Sequence, residues 1–230
     1  MTNKRIKVWD LPTRLFHWLL ALDIGAALVT GQIGGNLIDW HGRLGILAVG
    51  LVAFRLTWGL VGSTYARFSQ FLPSQEAIAA YLKGQWQGLG HNPLGALSVL
   101  ALLGLVTLQA VSGLFANDDI AFNGPLFNLV SKDISDRITG VHKLASNLLI
   151  LVVVLHVAAI VFYARVKKHN LVKPMLTGWT EAESGESAQG GGLVALIAAL
   201  VVAGAAMYGA SGLWVPAPPP PPPAAETPAW

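Results

Sequence analysis

Six histidines are the side chains of this sequence best suited to bind a metal or a metal-containing group: His17, His41, His91, His142, His156 and His169. His142 and His156 are the most informative pair because about four helical turns would separate them on one helix. At about 100° per residue, their spacing returns to within about 40° of the same face of an α-helix. With a rise of about 1.5 Å per residue, the two imidazoles would lie about 21 Å apart along that face.

Long apolar segments carry these histidines. The 230 residues are 53% hydrophobic and only 12% charged, whereas soluble domains average about 25% charged residues. A helix that crosses the hydrocarbon core needs about 20 mainly apolar residues, and an open strand would leave backbone groups unpaired in lipid. The sequence therefore predicts an all-α integral membrane protein with five spans: 15–34, 41–62, 94–115, 140–164 and 193–214.

The distribution of lysine and arginine predicts the orientation of these spans. A serial topology places ten basic residues on one side of the membrane: Lys4, Arg5, Lys7, Arg14, Arg67, Lys83, Arg165, Lys167, Lys168 and Lys173. The loops of the opposite side contain Lys132 and Arg137, together with five aspartates. The positive-inside rule therefore predicts a cytoplasmic N-terminus and, after five spans, a C-terminus on the outside.

Four of the histidines fall into two pairs at matching depths. His17 and His156 are expected near the cytoplasmic face, and His41 and His142 near the outer face. Ionisable groups within spans are rare and usually functional, and haem iron can take an axial imidazole on each side of the ring. The pattern therefore predicts two bis-histidine haems, paired His17/His156 and His41/His142. The alternatives are a bare zinc or copper ion and ordinary packed histidines; two-histidine layers without cysteine fit a bare ion poorly.

The sequence contains no cysteine, which excludes thiolate-bound iron–sulfur clusters and the covalent attachment of c-type haem. The haems would therefore be of the non-covalently held b type.

Basic residues near each histidine layer are candidates to bind haem propionates. Arg43, Arg137 and Lys143 are expected at the outer layer. Arg55 follows His41 by about four helical turns and should lie at the cytoplasmic layer, with Asp23 or backbone carbonyls as alternative partners.

His91 could bond a propionate or a quinone, but a surface role is favoured. His169 lies in a basic segment and is expected to be solvated.

The composition divides the chain into four parts. Residues 1–179 should form a four-helix haem-binding bundle, 180–192 a flexible linker, 193–214 an extra membrane helix, and 215–230 a proline-rich tail. Ser74 is expected to cap a short surface helix, and Asn92 with Pro93 to begin the third span. The unusually apolar outer loop before the fourth span should fold onto the bundle or meet a partner.

Several stretches together resemble the bacterial cytochrome b561 family, which includes the b-type cytochrome subunits of nickel–iron hydrogenases. They are residues 8–18 (VWDLPTRLFHW), 41–45 (HGRLG), 55–62 (RLTWGLVG), 90–95 (GHNPLG) and 140–143 (GVHK), with His156 downstream. The resemblance covers roughly three quarters of the chain, residues 8–179. It ends before the linker, the fifth span and the proline tail, where this sequence departs from compact four-span members.

The resemblance implies a four-helix core in the bacterial inner membrane that holds two haem b groups with His17, His41, His142 and His156 as axial ligands. It also implies electron transfer between the quinone pool and a redox partner, such as a periplasmic c-type cytochrome or an oxidoreductase subunit. An electron-transfer subunit is favoured over a stand-alone enzyme. The alternatives are a quinone-linked superoxide oxidase, with Arg43, Arg137 and Lys143 steering the anion, and a haem-bearing membrane anchor. No basic–aromatic pattern indicates nucleic-acid binding, and the basic residues suit anionic lipid.

Overall fold

The computed structural model describes residues 4–120 and 122–216. Within these residues, five helices are long and apolar enough to cross a membrane. They are α1 (Leu11–Ile33), α2 (Ile38–Val61), α4 (Pro93–Gly113), α5 (Lys132–Arg165) and α7 (Gly192–Ala210), with the short α3 (Gln75–Leu82) and α6 (Val172–Thr177) between them. The helical, multi-pass membrane architecture predicted from the sequence is confirmed.

Helix starts follow the capping residues in the sequence. The Ser74 hydroxyl accepts a backbone N–H at 3.1 Å and begins α3. The Asn92 side chain accepts one at 2.7 Å, and Pro93 is the first residue of α4. Both starts were predicted. Asp10 caps α1 in the same way, at 2.7 Å. The other oxygen of its carboxylate accepts from the indole of Trp58 at 3.0 Å, which ties the start of α1 to the end of α2.

The helix α5 is longer than its apolar stretch. Its 34 residues span about 51 Å, well beyond a hydrocarbon core of about 30 Å, and it begins at Lys132 rather than near position 140. The extension is stabilised by the Asn117 side chain, which donates to the Ser135 hydroxyl at 2.6 Å and to Asp136 at 2.9 Å. Because its first turns contain charged residues, the hydropathy of the sequence does not identify them as part of the helix.

The helix α2 lies at the centre of the bundle and packs against α1, α4 and α7. Val52, Leu103, Val106 and Leu149 form a buried cluster that joins α2, α4 and α5. The helix α7 is also closely packed, since a Cβ added to Gly50 would lie 2.5 Å from Cγ of Met207. The fifth helix is therefore held against α2 at close backbone distance.

A two-stranded sheet joins distant parts of the chain on one side of the bundle. The strands β1 (Lys4–Lys7) and β2 (Trp179–Ala182) are antiparallel, with Lys4 opposite Ala182. Beyond β2, the Ala188 N–H donates to the Lys7 carbonyl at 2.7 Å, and Gln189 is hydrogen-bonded to the loop after α2. The N-terminus, that loop and the segment after α5 share one side, as the serial topology requires.

Residues 180–192, interpreted from their composition as a flexible linker, run along this sheet and the loop after α2, where Ser187 and Gln189 are hydrogen-bonded to Lys7 and Thr64. Hydrogen bonds between backbone groups require no hydrophobic pattern. The Gly- and Ser-rich sequence therefore does not indicate that this segment is paired. Of the predicted proline-rich tail, residues 217–230 lie outside the described part of the chain.

The outer loop between α4 and α5 folds back onto the bundle. The N–H groups of Gly124 and Leu126 donate to carbonyls at the end of α4, both at 2.8 Å. The Phe122 ring packs against Gly42 of α2, where an added Cβ would lie 2.9 Å from Cζ. The apolar side chains of this loop therefore cover the bundle's outer end, which was one of the two expectations.

Candidate haem sites

The structure brings the outer histidine pair together. His41 in the first turns of α2 and His142 in α5 have ring centroids 6.0 Å apart, with their planes at 86°. A metal–imidazole nitrogen bond is about 2 Å long, so two imidazoles on opposite sides of one metal have nitrogens about 4 Å apart and centroids somewhat farther. The separation of His41 and His142 fits one iron between them.

The helix α1 holds the His41 ring in position. Nδ1 of His41 lies 2.8 Å from the Ala27 carbonyl oxygen, and a carbonyl can only accept, so Nδ1 carries the proton. The lone pair is then on Nε2, which is free to bind a metal. Gly31, one turn beyond Ala27, makes room for the ring, since a Cβ there would lie 2.9 Å from Cε1 and Nδ1 of His41.

The helix α4 holds His142 in a similar way. Nδ1 of His142 is 3.0 Å from the Ser112 hydroxyl, which itself donates to the Gln109 carbonyl at 3.2 Å. The hydroxyl therefore accepts from Nδ1, and the lone pair of His142 is on Nε2. A Cβ added to Gly113 would lie 3.0 Å from Cε1 of this ring. Glycine thus lies against both outer imidazoles.

Gln109 occupies the position beside the free nitrogen of His142. Its amide nitrogen is 3.0 Å from Nε2 of His142, and its amide oxygen is buried without a partner in the described residues. A metal on Nε2 would replace this hydrogen bond, so the Gln109 side chain must turn aside when the site is filled. Sequence reasoning singled out neither Gln109 nor Ser112.

A cavity of about 470 Å³ surrounds the outer pair, within the range of about 300–1,000 Å³ typical of small-molecule sites. Its lining includes Gly31, Gly42, Gly45 and Gly113, and a Cβ added to Gly45 would meet nothing within 4 Å. Small residues on facing helices leave the space that a flat ring between two imidazoles needs. The residues around the outer pair therefore fit a haem.

The three basic residues predicted at the outer layer have different surroundings. Lys143 lines the cavity. Arg43 is exposed, with its guanidinium 5.0 Å from the ring centroid of Trp40. Arg137 is exposed in the first turns of α5. In the described part of the chain, Lys143 is thus the best placed of the three to meet a propionate.

The inner pair, His17 on α1 and His156 on α5, is arranged more loosely. Nδ1 of His156 is 3.4 Å from the Ser98 hydroxyl. Nδ1 of His17 is buried with no hydrogen-bond partner among the described residues, and the ring packs edge-on against Trp18 at 5.0 Å between centroids. His156 is close enough to His17 for the two imidazoles to interact electrostatically.

Arg55 is buried beside this layer and forms no salt bridge with another described residue. It is 4% exposed, and its guanidinium carbon is 4.6 Å from the Phe68 ring centroid. Its Nη1 and both carboxylate oxygens of Asp23 are buried without partners in the described residues, so the alternative Arg55–Asp23 pair does not form. The position suits an anionic group of a ligand, such as a propionate.

His91 is only partly exposed and lies near Arg55 and His17 of the inner layer. Its ring packs against Trp9 and Phe71, with centroids 4.6 and 4.4 Å away. Burial lowers its pKa to about 3, and the charges of Arg55 and His17 act in the same direction. The turn that holds His91 therefore packs against Trp9 and Phe71. His169 is exposed, as expected.

The described residues contain no group of three or more His, Cys, Asp or Glu side chains that could hold a metal ion. Layers of two histidines suit haem, because the porphyrin itself supplies the other ligands of the iron. A helical membrane bundle with histidine pairs at two depths defines a protein of the b-type cytochrome class.

Sequence comparison gives the family. The model of the family described as prokaryotic cytochrome b561 matches residues 8–178, and the chain belongs to this family. Membership implies haem b as a cofactor and electron transport in the membrane as the functional class.

Two relatives are named "Probable Ni/Fe-hydrogenase B-type cytochrome subunit". The protein of Azotobacter chroococcum mcd 1 is 26% identical over 218 residues, covering 76% of this chain and 88% of the relative. The protein of Azotobacter vinelandii is 28% identical with the same coverage, 76% and 88%. No solved structure is significantly similar in sequence.

Proposed function

We propose that this chain transfers electrons across the bacterial inner membrane through two b-type haems, each held by two histidines. His41 and His142 bind the outer haem, and His17 and His156 the inner one. When bound, haem iron supplies a one-electron carrier that cycles between ferric and ferrous states. The observation that carries the proposal is the facing of His41 and His142 across a glycine-lined cavity, with His156 deeper on the same helix as His142.

The protein groups around each layer have separate roles in this proposal. Lys143 at the outer cavity and Arg55 at the inner layer balance the negative charge of propionates. The apolar outer loop, with Phe122 against Gly42, excludes water from the outer site. The helices α2, α4 and α5 fill the space between the layers with apolar side chains.

The orientation of the chain is part of the proposal. The basic N-terminus, the loop after α2 and the segment after α5 meet on one side of the bundle, and the positive-inside rule makes that side cytoplasmic. The inner pair then faces the cytoplasm, and α7 leads the C-terminus to the periplasm. Quinone is the proposed membrane-soluble reactant.

The proposed partner is a redox protein on the outer side, such as a c-type cytochrome or an oxidoreductase subunit. The names of the two Azotobacter relatives support a subunit role, because each is named as a probable cytochrome subunit of a Ni/Fe-hydrogenase. Arg43, Arg137 and the extended start of α5 lie at the exposed outer end and could contribute to docking, although Arg43 and Arg137 do not line the cavity.

A second candidate is a quinone-linked superoxide oxidase. It is favoured by Lys143, whose positive charge lines the outer cavity and could attract a small anion. Rapid reduction of the outer haem by superoxide, in the absence of a partner protein, would support it over the subunit role.

The proposal is tested with the purified full-length chain. Pyridine haemochromogen analysis should give two haem b per chain, extractable with acid acetone. In liposomes with ferricyanide trapped inside, a membrane-impermeant reductant outside should reduce the trapped acceptor only when the protein is present. One haem per chain, or no transmembrane reduction, would refute the proposal.

A further inference from the structure

Two serines on α4 repeat the spacing of the two histidines on α5. About four helical turns separate Ser98 from Ser112, and the same number separates His142 from His156. Because α4 and α5 pack as antiparallel neighbours, the equal spacing brings one serine to each histidine. The Ser112 hydroxyl is 3.0 Å from Nδ1 of His142, and the Ser98 hydroxyl is 3.4 Å from Nδ1 of His156.

The contact of Ser112 with His142 is a shorter and better-defined hydrogen bond than the contact of Ser98 with His156. Ser112 is 5% exposed, and its own proton goes to the Gln109 carbonyl at 3.2 Å, so its oxygen is fixed as an acceptor for Nδ1. The Ser98 contact is close to the limit of a hydrogen bond.

The two histidines on α1 and α2 show the same difference, with a better hydrogen-bond acceptor at the outer layer than at the inner one. At the outer layer, Nδ1 of His41 has the Ala27 carbonyl 2.8 Å away. At the inner layer, Nδ1 of His17 is buried without an acceptor in the described residues.

An acceptor on Nδ1 changes the imidazole as a ligand. It fixes the tautomer and the ring orientation, and it draws the Nδ1 proton away so that Nε2 becomes the more basic donor. A more basic axial ligand stabilises ferric over ferrous iron and lowers the reduction potential. Near the inner layer, the buried positive charge of Arg55 favours ferrous iron and so raises the reduction potential there.

We propose that Ser98 and Ser112 are positioning residues for His156 and His142, and that the outer haem, with an acceptor behind both of its ligands, has the lower reduction potential. This inference rests on the proposed pair of bis-histidine haems. The order of potentials favours electron movement from the outer side towards the cytoplasmic side.

The experiment is a redox titration of the full-length protein, followed by visible absorbance and by the electron paramagnetic resonance of the low-spin ferric haems. A His41→Ala chain, which retains the inner haem, assigns each potential to its layer. Ser112→Ala should raise the outer potential, changing the ferric to ferrous ratio at a fixed potential by about three- to tenfold, where tenfold corresponds to about 59 mV. Ser98→Ala should move the inner potential in the same direction but by less.

Two further variants separate positioning from general packing. Ser112→Thr keeps the hydroxyl and should restore the potential and the resonance position of the unaltered outer haem. Thr107→Val removes a hydroxyl on α4 that donates only to the Leu103 carbonyl, and it should leave both potentials unchanged. If Ser112→Thr fails to assemble, the same comparison is made with Ser98→Ala and Ser98→Thr at the inner haem.

The possible failures are distinguishable. Fewer than two haems in the unaltered chain would refute the proposed function itself. Two haems with potentials unmoved by either alanine variant would refute the positioning role alone. An outer haem with the higher potential would refute the proposed order.

Discussion

The outer and inner histidine layers use the same residue types but are built differently. At the outer layer, both imidazoles have an acceptor behind Nδ1, a glycine against the ring and a cavity between them. At the inner layer, Nδ1 of His17, Nδ1 of His91 and Nη1 of Arg55 are buried without partners in the described residues. The outer layer is thus preorganised around its ligands, whereas the inner layer has donors that an anionic group could satisfy.

This difference follows from the elements around each layer. The outer layer lies where α1, α2, α4 and α5 come together under a loop that supplies backbone hydrogen bonds. The inner layer lies beside the two-stranded sheet and aromatic side chains, which exclude water but offer few acceptors. Burying polar groups without partners costs free energy, so the inner layer should depend more strongly on its bound group.

The largest expected effect separates the two layers directly. His142→Ala should leave one haem per chain, the inner one, because the outer iron loses an axial ligand. His156→Ala should leave only the outer haem. Haem content per chain and the α-band spectrum of each variant measure the result.

His169→Ala, at an exposed position, serves as the control and should retain the full haem content. Loss of both haems in each single variant would show that the two layers do not assemble independently, and spectra unaffected by His156→Ala would exclude the inner pairing.

The glycines against the outer rings give the next largest effect. Gly31→Ala places a methyl group 2.9 Å from the His41 ring, so the ring must leave its hydrogen bond to Ala27. Changes beside a metal ligand typically cost about 10- to 100-fold in affinity, and we expect a loss of this size for the outer haem alone. Gly113→Ala, at 3.0 Å from His142, should be somewhat milder.

Matched controls lie on the same helices. Gly25 on α1 and Gly104 on α4 have open space where a Cβ would be added, and alanine is favoured over glycine in a helix by about 1 kcal/mol. Gly25→Ala and Gly104→Ala should therefore keep both haems. A loss of the inner haem in Gly31→Ala would contradict the assignment of Gly31 to the outer layer.

The sequence predicted what depends on strong periodic signals. Five apolar stretches predicted five helices, and the spacing of His142 and His156 predicted two layers. The same spacing in Ser98 and Ser112 could have indicated the serines, but serine is common in helices and the match has meaning only once α4 and α5 are known to pack together. The position of Arg55, about four helical turns after His41, predicted that it lies at the inner layer, and the structure shows its side chain to be buried.

The features that sequence reasoning missed depend on contacts between distant residues. The strands β1 and β2 are short segments from far-apart regions of the chain, Lys4–Lys7 and Trp179–Ala182, so no local pattern could pair them. The burial of His91 depends on Trp9 and Phe71 from two other segments. The sequence of the first turns of α5 resembles that of a polar loop, because α5 is longer than the hydrocarbon core and these turns extend past it.

A truncation tests whether the inner layer depends on the sheet. Deleting residues 181–230 removes the second half of β2, including Ala182, which packs against the buried cluster of Ile6, Val8 and Trp9. Exposing a large apolar side chain to water costs about 1.5–3 kcal/mol, and Trp9 packs on His91. Loss of α7 from α2 costs less, because lipid replaces the apolar contact. We expect the inner haem to dissociate at a lower temperature, with the outer spectrum retained.

Ending the chain at residue 216 is the matched control, since it keeps β2 and α7 and removes only the tail. Both haems should then melt as in the full chain. If the longer deletion also left both haems unchanged, the four-helix bundle would be sufficient, as its sequence suggested. Earlier loss of the outer haem would show that α7 supports that layer instead.

The smallest expected effect is a change of potential at Arg55. This guanidinium is 4% exposed, and because arginine is not deprotonated in proteins it keeps a positive charge beside the inner layer. A nearby positive charge favours the ferrous state, which carries less positive charge. Arg55→Leu should therefore lower the inner potential, changing the ferric to ferrous ratio by about three- to tenfold, or roughly 30 to 60 mV.

The control for this variant is Arg43→Leu, which removes an exposed charge at the outer end of the same helix. Solvent screens that charge, so both potentials should stay within the error of the titration. An inner potential unchanged by Arg55→Leu would reject the propionate role of Arg55. A fall in the outer potential instead would place the charge of Arg55 nearer the other haem and contradict the depth deduced from its spacing to His41.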